Sequence, residues 1–120
     1  MGDLAGRVLV TCEHASNRLP AGFALRAELL NLHIAWDPGA LPVARHIARR
    51  FDAELLPGKY SRLVVDLNRT VGNRVLMRQV SDGHKIPFNC GLSASARAER
   101  IDEYYRPYRE AVVEAAAALI

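Results

Sequence analysis

The period of the apolar positions changes several times along the chain, and each change marks an element. Val8 to Cys12 is a short β-rich apolar run, read as a buried strand within Arg7–Glu13. Ala15-Ser16-Asn17 after it is loop chemistry, and Phe23 to Leu32 carries helix-forming residues. Trp36-Asp37-Pro38-Gly39 is a break. Beyond it Ala40, Val43, Ala44, Ile47, Ala48 and Phe51 recur at spacings of three and four. That is one apolar face of a helix, with Arg45, His46, Arg49 and Arg50 on the other. Ala53–Leu56 reads as a weaker strand closed by Pro57-Gly58, and Tyr60–Leu67 as a stronger one centred on Leu63, Val64 and Val65. Val71 to Gly91 shows no period and holds three glycines and one proline. A loop of that length in a compact domain is usually functional or mobile. Ser93 is placed to cap a last helix with the stripe Ile101, Tyr104, Tyr105, Tyr108, Val112, Ala116 and Leu119, and Pro107 inside it predicts a kink or a split.

This order predicts an α/β layer, a mixed sheet flanked by helices. Val8–Cys12 and Leu63–Leu67 are expected to be neighbouring central strands, with their polar ends on one edge. The 120 residues give room for one domain, residues 1–120. Hydrophobic residues at 50% and charged residues at 24% are ordinary for a globular chain, so disorder is not expected.

A net charge of +3, spread over separate segments, gives no footprint for nucleic acid. The most apolar stretch, Ala111 to Ile120, contains Glu114 and falls short of the ~20 residues of a membrane span. Asp3 interrupts the N-terminus, so no secretion signal is read there. Cys12 and Cys90 are too few for a disulfide framework, which points to a reducing cytoplasm. Neither nucleic acid nor membrane is expected as a partner, whereas the forks of Arg62 and Arg69 suit a small-molecule substrate with a carboxylate. The last helix ends on Leu119-Ile120 with no cap glycine and no polar tail, which predicts a chain cut at that point.

Three clusters carry candidate chemistry. In Cys12-Glu13-His14-Ala15-Ser16-Asn17, a histidine stands at the carboxyl end of a strand, where α/β sheets collect ligands. Imidazole is a common metal ligand, and Glu13 is placed either to orient its ring or to bind beside it. The plainer alternative is a pair of polar residues at a strand end, with Asn17 as a helix cap. A thiol mechanism through Cys12 is weaker, because Cys12 lies within the apolar run. In His33-Ile34-Ala35-Trp36-Asp37, Asp37 is a hard oxygen ligand, a base, or simply the cap of the next helix. In Tyr60-Ser61-Arg62-Leu63-Val64-Val65-Asp66-Leu67-Asn68-Arg69, two arginine forks suited to carboxylates flank an aliphatic run, and Asn68 adds amide donors. The alternative is a structural Asp66–Arg69 pair. Lys85-Ile86-Pro87-Phe88-Asn89-Cys90 reads alone as a loop, and Tyr104, Tyr105 and Tyr108 as packing.

Together, Cys-Glu-His-Ala-Ser-Asn (12–17), His-Ile-Ala-Trp-Asp-Pro-Gly-Ala (33–40), Tyr-Ser-Arg-Leu-Val-Val-Asp-Leu-Asn-Arg (60–69) and Ile-Pro-Phe-Asn (86–89) resemble the N-formylglutamate amidohydrolase family. The resemblance runs from about Val8 to about Tyr108, and the four motifs in this order are specific. That family is similar to the zinc carboxypeptidases and to the succinylglutamate desuccinylase and aspartoacylase group. The resemblance implies a zinc carboxypeptidase-like (phosphorylase/hydrolase-like) fold, present here as an N-terminal half. It also implies a zinc ion at His14, with Glu13 or Asp37 as further metal ligand, because Asn17 stands where relatives carry a Glu. Catalytic roles fall to Glu13, Asp37 and Arg62, and substrate binding to Asn17, Asn68 and Arg69. Arg109 departs from the family pattern, which has His there. The activity implied is hydrolysis of the C–N bond of an N-acylated acidic amino acid such as N-formyl-L-glutamate. The alternative from another class is a carboxylate-binding module without turnover, or an inactive fragment.

Overall fold

The structure is a computed structural model, and it describes residues 6–119. The readings made on Asp3 and Ile120 lie outside the described residues. The chain is a small mixed α/β structure. Strand β1 (Leu9–Cys12) is followed by a single helical turn, α1 (Ala27–Leu30), then helix α2 (Ala40–Arg50) and strand β2 (Glu54–Pro57). Strands β3 (Val80–Ser81) and β4 (His84–Lys85) form a small hairpin, followed by a 3-10 turn at Pro87–Asn89. The C-terminal helical rod comprises α3 (Ala94–Arg100), a π-helical stretch (Ile101–Tyr105) and α4 (Arg106–Ala117).

β1 pairs in parallel with β2, Leu9 opposite Glu54 and Cys12 opposite Pro57, and α2 is the crossover between them. The apolar stripe predicted on α2 is buried only in part: Ala44 and Ala48 are buried, while Val43 and Ile47 are exposed. Ala44 packs with Cys12 and Ala15, and Val10 and Leu55 close the cluster. Gly39 begins the helix at φ 86°, a left-handed conformation that glycine adopts without a Cβ penalty. No side chain caps α2, so Asp37 is not the helix cap that one reading made it.

The segment Tyr60–Leu67 corrects the expectation of a second central strand. It is a chain of turns, with Val64 N–H donating to the Ser61 carbonyl at 3.1 Å and Arg69 N–H to the Asp66 carbonyl at 3.1 Å. β1 therefore has β2 as its neighbour, not Leu63–Leu67. Two side chains explain the difference. The Ser61 hydroxyl accepts from Leu63 N–H at 3.1 Å, and the Asp66 carboxylate accepts from Asn68 N–H at 3.0 Å. Such local bonds compete with a strand ladder. The aliphatics are buried all the same: Leu63 joins Leu29, Ile34, Ala35 and Ile86, while Val64, Val65 and Leu67 join Leu76, Met77, Ile101 and Tyr105.

Other expectations are refined. The helix read over Phe23–Leu32 is only the turn α1, and the stretch Val71–Gly91 holds the hairpin and the 3-10 turn. Ser93 does cap α3, accepting from Ala96 N–H at 3.1 Å. As Pro107 predicts, the rod is not one α-helix: Pro107 stands in the first turn of α4, and a π-helical stretch separates α4 from α3. The turn before the proline is widened, and Arg106 N–H reaches back to the Ile101 carbonyl. Widening is a known relief where proline crowds the preceding turn. Among the described residues no helix is long and apolar enough to cross a membrane.

Candidate active site

The backbone first brings the three polar clusters together. Asp37 N–H donates to the His14 carbonyl at 3.0 Å, and Arg62 N–H to the Ala35 carbonyl at 3.2 Å. The Ser61 hydroxyl donates to that same Ala35 carbonyl at 2.7 Å. Gly58 N–H donates to the Cys12 carbonyl at 2.8 Å. Gly58 is fixed by space: a Cβ there would stand 2.2 Å from the Glu13 carbonyl oxygen. The loop ends carrying His14, Asp37 and Asp66 are thus held by main-chain bonds rather than by side-chain packing alone.

His14 is buried between two carboxylates. Its Nε2 lies 2.6 Å from Asp66 and its Nδ1 3.1 Å from Asp37. The two acids differ sharply in setting, since the Asp66 side chain is 3% exposed and that of Asp37 52%. Arg62 donates to the second Asp66 oxygen at 3.0 Å and stands 3.7 Å from Asp37. Arg69 lies only at the margin of the same carboxylate, 3.8 Å away. Arg62, not Arg69, is therefore the structural partner of Asp66.

The electrostatics follow from this geometry. Burial alone pushes the His14 imidazole down, but the hydrogen bond to Asp66 and its charge, with help from Asp37, outweigh burial and raise it. Burial alone pushes Asp66 up, but His14, the Asn68 N–H and Arg62 together hold it below its ordinary value. An ionised carboxylate only accepts, so both contacts of His14 are satisfied at once only by the doubly protonated ring. When the ring loses a proton, Nε2 is the better place to keep the other, against the buried acid at shorter range. Nδ1 is then left with a free lone pair beside Asp37.

His14 and Asp37 line an open groove of about 640 Å³ together with Glu13, Asn68 and residues of β1 and α2. The volume is within the range of small-molecule sites. The negative charge of Glu13 contributes, after burial, to pushing the Cys12 thiol up. Burial and then Glu13 likewise push the Tyr108 hydroxyl up to about 12. A raised thiol is a poor nucleophile, which disfavours the Cys12 mechanism.

Asn17 stands apart from the cluster, its Nδ2 donating to the Leu30 carbonyl at 2.8 Å and securing α1. His33 is on the surface, 3.7 Å from Asp82. The Ile86–Asn89 motif is scaffold. Asn89 donates to the Leu63 and Arg78 carbonyls at 2.8 and 2.6 Å and accepts from the buried Arg100. Arg100 also donates to the Val64 carbonyl at 3.2 Å. The tyrosines hold structure as expected: Tyr105 donates to the Arg69 carbonyl at 2.6 Å and Tyr108 to that of Leu56 at 2.8 Å. The residue that sequence reasoning passed over is Asp66, seen only as a possible partner of Arg69. Its polar side chain inside an otherwise aliphatic run was the available signal.

A metal ion fits this arrangement in part. Donors about 2.0–2.2 Å from a tetrahedral zinc ion lie roughly 3.3–3.5 Å apart, and Nδ1 and the Asp37 oxygen are already 3.1 Å apart. Among the described residues, however, no group of three or more His, Cys, Asp or Glu side chains could hold a metal. The described part of the chain therefore offers a pair of donors rather than a full set.

A histidine thus sits between two carboxylates at the end of a parallel strand, with arginines behind it, and comparison with known proteins gives the chain a family. Residues 6–120 match the profile of the N-formylglutamate amidohydrolases, and the chain belongs to that family of hydrolases. The crystal structure of gene product Atu2144 from Agrobacterium tumefaciens is similar at 39% sequence identity, with a TM-score of 0.88. The match covers 97% of this chain and 47% of that one, so the chain spans about half the length of this solved relative. Comparison with proteins of curated function gives no match.

Proposed function

We propose that this chain supplies metal-binding and carboxylate-recognition residues of an amidohydrolase that cleaves the C–N bond of an N-acylated acidic amino acid such as N-formyl-L-glutamate. The observation that carries this reading is the graded pair of acids on His14. A buried Asp66 lies 2.6 Å from Nε2, which favours keeping a proton there in the neutral ring, and a half-exposed Asp37 lies 3.1 Å from Nδ1. A carboxylate behind a histidine is the usual outer support of a metal-bound imidazole. His14 and Asp37 are the ligands in this reading, with Glu13 beside them as further ligand or base. Zinc, if held there, would supply polarisation of the scissile carbonyl and a lowered pKa for bound water.

Arg62 stands 3.7 Å from Asp37, and its fixed positive charge is assigned to stabilising the negative charge that develops on the attacked carbonyl oxygen. Asn68 lines the groove, and the Arg69 side chain is 39% exposed, with only a marginal hold on Asp66. Those two are assigned to the substrate carboxylates. Asn17 uses one amide N–H on Leu30 and keeps its amide oxygen and its second N–H for a ligand. The relation to the zinc carboxypeptidase-like fold is part of the same reading. So is a cytoplasmic setting, in keeping with the free thiols of Cys12 and Cys90.

The test is formate release from N-formyl-L-glutamate by the complete gene product, in the native form and as Arg69→Lys. Lysine keeps the charge but loses the fork. A fall of about tenfold or more in kcat/KM is expected, or about 1.4 kcal/mol of transition-state stabilisation. The same substrate with both carboxylates amidated should react equally with the two proteins. Unchanged kinetics on the charged substrate would remove Arg69 from the carboxylate site. Turnover that persists undiminished after exhaustive chelation would remove the metal.

A further inference from the structure

Arg69 is assigned to a substrate carboxylate, yet little holds its side chain. That side chain is 39% exposed and reaches Asp66 only at 3.8 Å. A recognition group with so loose a side chain depends on the backbone beneath it for its position.

The main chain of Arg69 is held on both sides. Its N–H donates to the Asp66 carbonyl at 3.1 Å, closing the turn that also carries Asn68. Its carbonyl accepts from two side chains of the C-terminal rod, the Tyr105 hydroxyl at 2.6 Å and the Arg109 guanidinium at 3.3 Å. Tyr105 is 6% exposed, so its hydroxyl has little water to turn to. Arg109 Nε donates to that hydroxyl at 3.0 Å, and its guanidinium lies 5.2 Å from the centre of the Tyr105 ring. With a donor already on its oxygen, the hydroxyl has its one proton for the Arg69 carbonyl. Tyr105 also closes the π-helical stretch before Pro107, and wide turns of this kind recur at functional sites.

We propose that Tyr105 is a positioning residue for the carboxylate site, with Arg109 orienting its hydroxyl, and that the two act through the main chain of Arg69. The inference rests on the assignment of Arg69 to a substrate carboxylate. Tyr105 touches no substrate in this account. It sets where the backbone of residue 69 stands, and so where the guanidinium fork can reach. The ring alone would pack as well without its oxygen, so the hydroxyl is the part that serves the site.

The test is formate release by the complete gene product as Tyr105→Phe, which keeps the ring and loses only the hydroxyl. A misplacement of about 1 Å can cost about 100-fold, but the Arg109 bond remains, so a fall of about three- to tenfold in kcat/KM for N-formyl-L-glutamate is expected. The same substrate with both carboxylates amidated should be unaffected, and in an Arg69→Lys background the hydroxyl should matter less than about twofold. Tyr108→Phe loses the matching bond from the same rod to the Leu56 carbonyl and should leave both substrates unchanged. Arg109→Ala, on an exposed face, should repeat the Tyr105→Phe pattern at about two- to threefold and keeps the test open where Tyr105→Phe folds poorly. Where turnover is absent, calorimetric binding of N-formyl-L-glutamate and of its diamide gives the same comparison. An equal fall on both substrates, the full fall repeated in the Arg69→Lys background, or the same selective fall in Tyr108→Phe would overturn the proposal, because each marks general damage to the fold. An effective Arg69→Lys with Tyr105→Phe and Arg109→Ala silent would overturn this proposal alone. A silent Arg69→Lys would overturn the carboxylate assignment and this proposal with it.

Discussion

Replacing Asp66 by Asn changes almost no volume and removes one charge, which isolates the role of this carboxylate. Asp66 is 2% exposed and accepts from His14 at 2.6 Å, Arg62 at 3.0 Å and the Asn68 N–H at 3.0 Å. Removing one member of a buried ion pair costs about 3–5 kcal/mol. Arg62 is 20% exposed and regains some hydration, and Asn retains one acceptor, so the expected loss is about 2–3 kcal/mol. Asp37→Asn is the internal control. It touches the other nitrogen of the same ring but is half exposed, so its loss should stay below about 1 kcal/mol.

The pH dependence has a definite sign. His14 is raised, so its contribution is fully present below its ordinary value of 6.5 and is lost as pH rises through the raised value. Asp66 is lowered, so its contribution is present above 3.8 and is lost as pH falls through the lowered value. Urea unfolding of the metal-free chain should therefore show the largest Asp66→Asn effect near about pH 5–6 and a smaller one near about pH 9. A loss under about 0.5 kcal/mol near pH 6, or one equal to that of Asp37→Asn, would refute the central place given to Asp66.

Gly58→Ala drives a Cβ into the Glu13 carbonyl, a backbone atom with little room to yield, and is expected to lower stability by about 2 kcal/mol or more in the same unfolding assay. Asn89→Ala leaves the Leu63 and Arg78 carbonyls without their donor and deprives Arg100 of an acceptor; a loss of about 2–4 kcal/mol is expected by calorimetric melting. Arg109→Ala removes a contact stacked on Tyr105 and a 3.3 Å bond to the Arg69 carbonyl on an exposed face, so thermal melting should register less than about 1 kcal/mol.

The parts of the fold legible in the sequence were those with a clean period and little side-chain interference. The stripe from Ala40 to Phe51 gave α2 at nearly its true bounds, and Ser93 marked the start of α3. Leu9–Cys12 was legible because β-branched residues stand there without a local polar competitor. Tyr60–Leu67 was misread because apolar content measures burial, not pairing, and Ser61 and Asp66 turned the backbone on itself. The candidate site was legible as three clusters: His14, Asp37 and Asn68 line one groove, and Arg62 and Arg69 stand behind it at Asp66. The role of Asp66 was hidden because a contact across 52 positions leaves no trace in local spacing.

The claim that the Nδ1 side of His14 and Asp37 form a metal-binding pair is tested most directly by calorimetric titration of zinc into the chain at a pH where His14 is neutral. The native chain should bind zinc, His14→Ala and Asp37→Asn should each weaken binding at least tenfold, and Asp66→Asn, which frees the ring without removing a ligand, by about 10–100-fold. Equal zinc affinity in the native chain and His14→Ala would contradict the account.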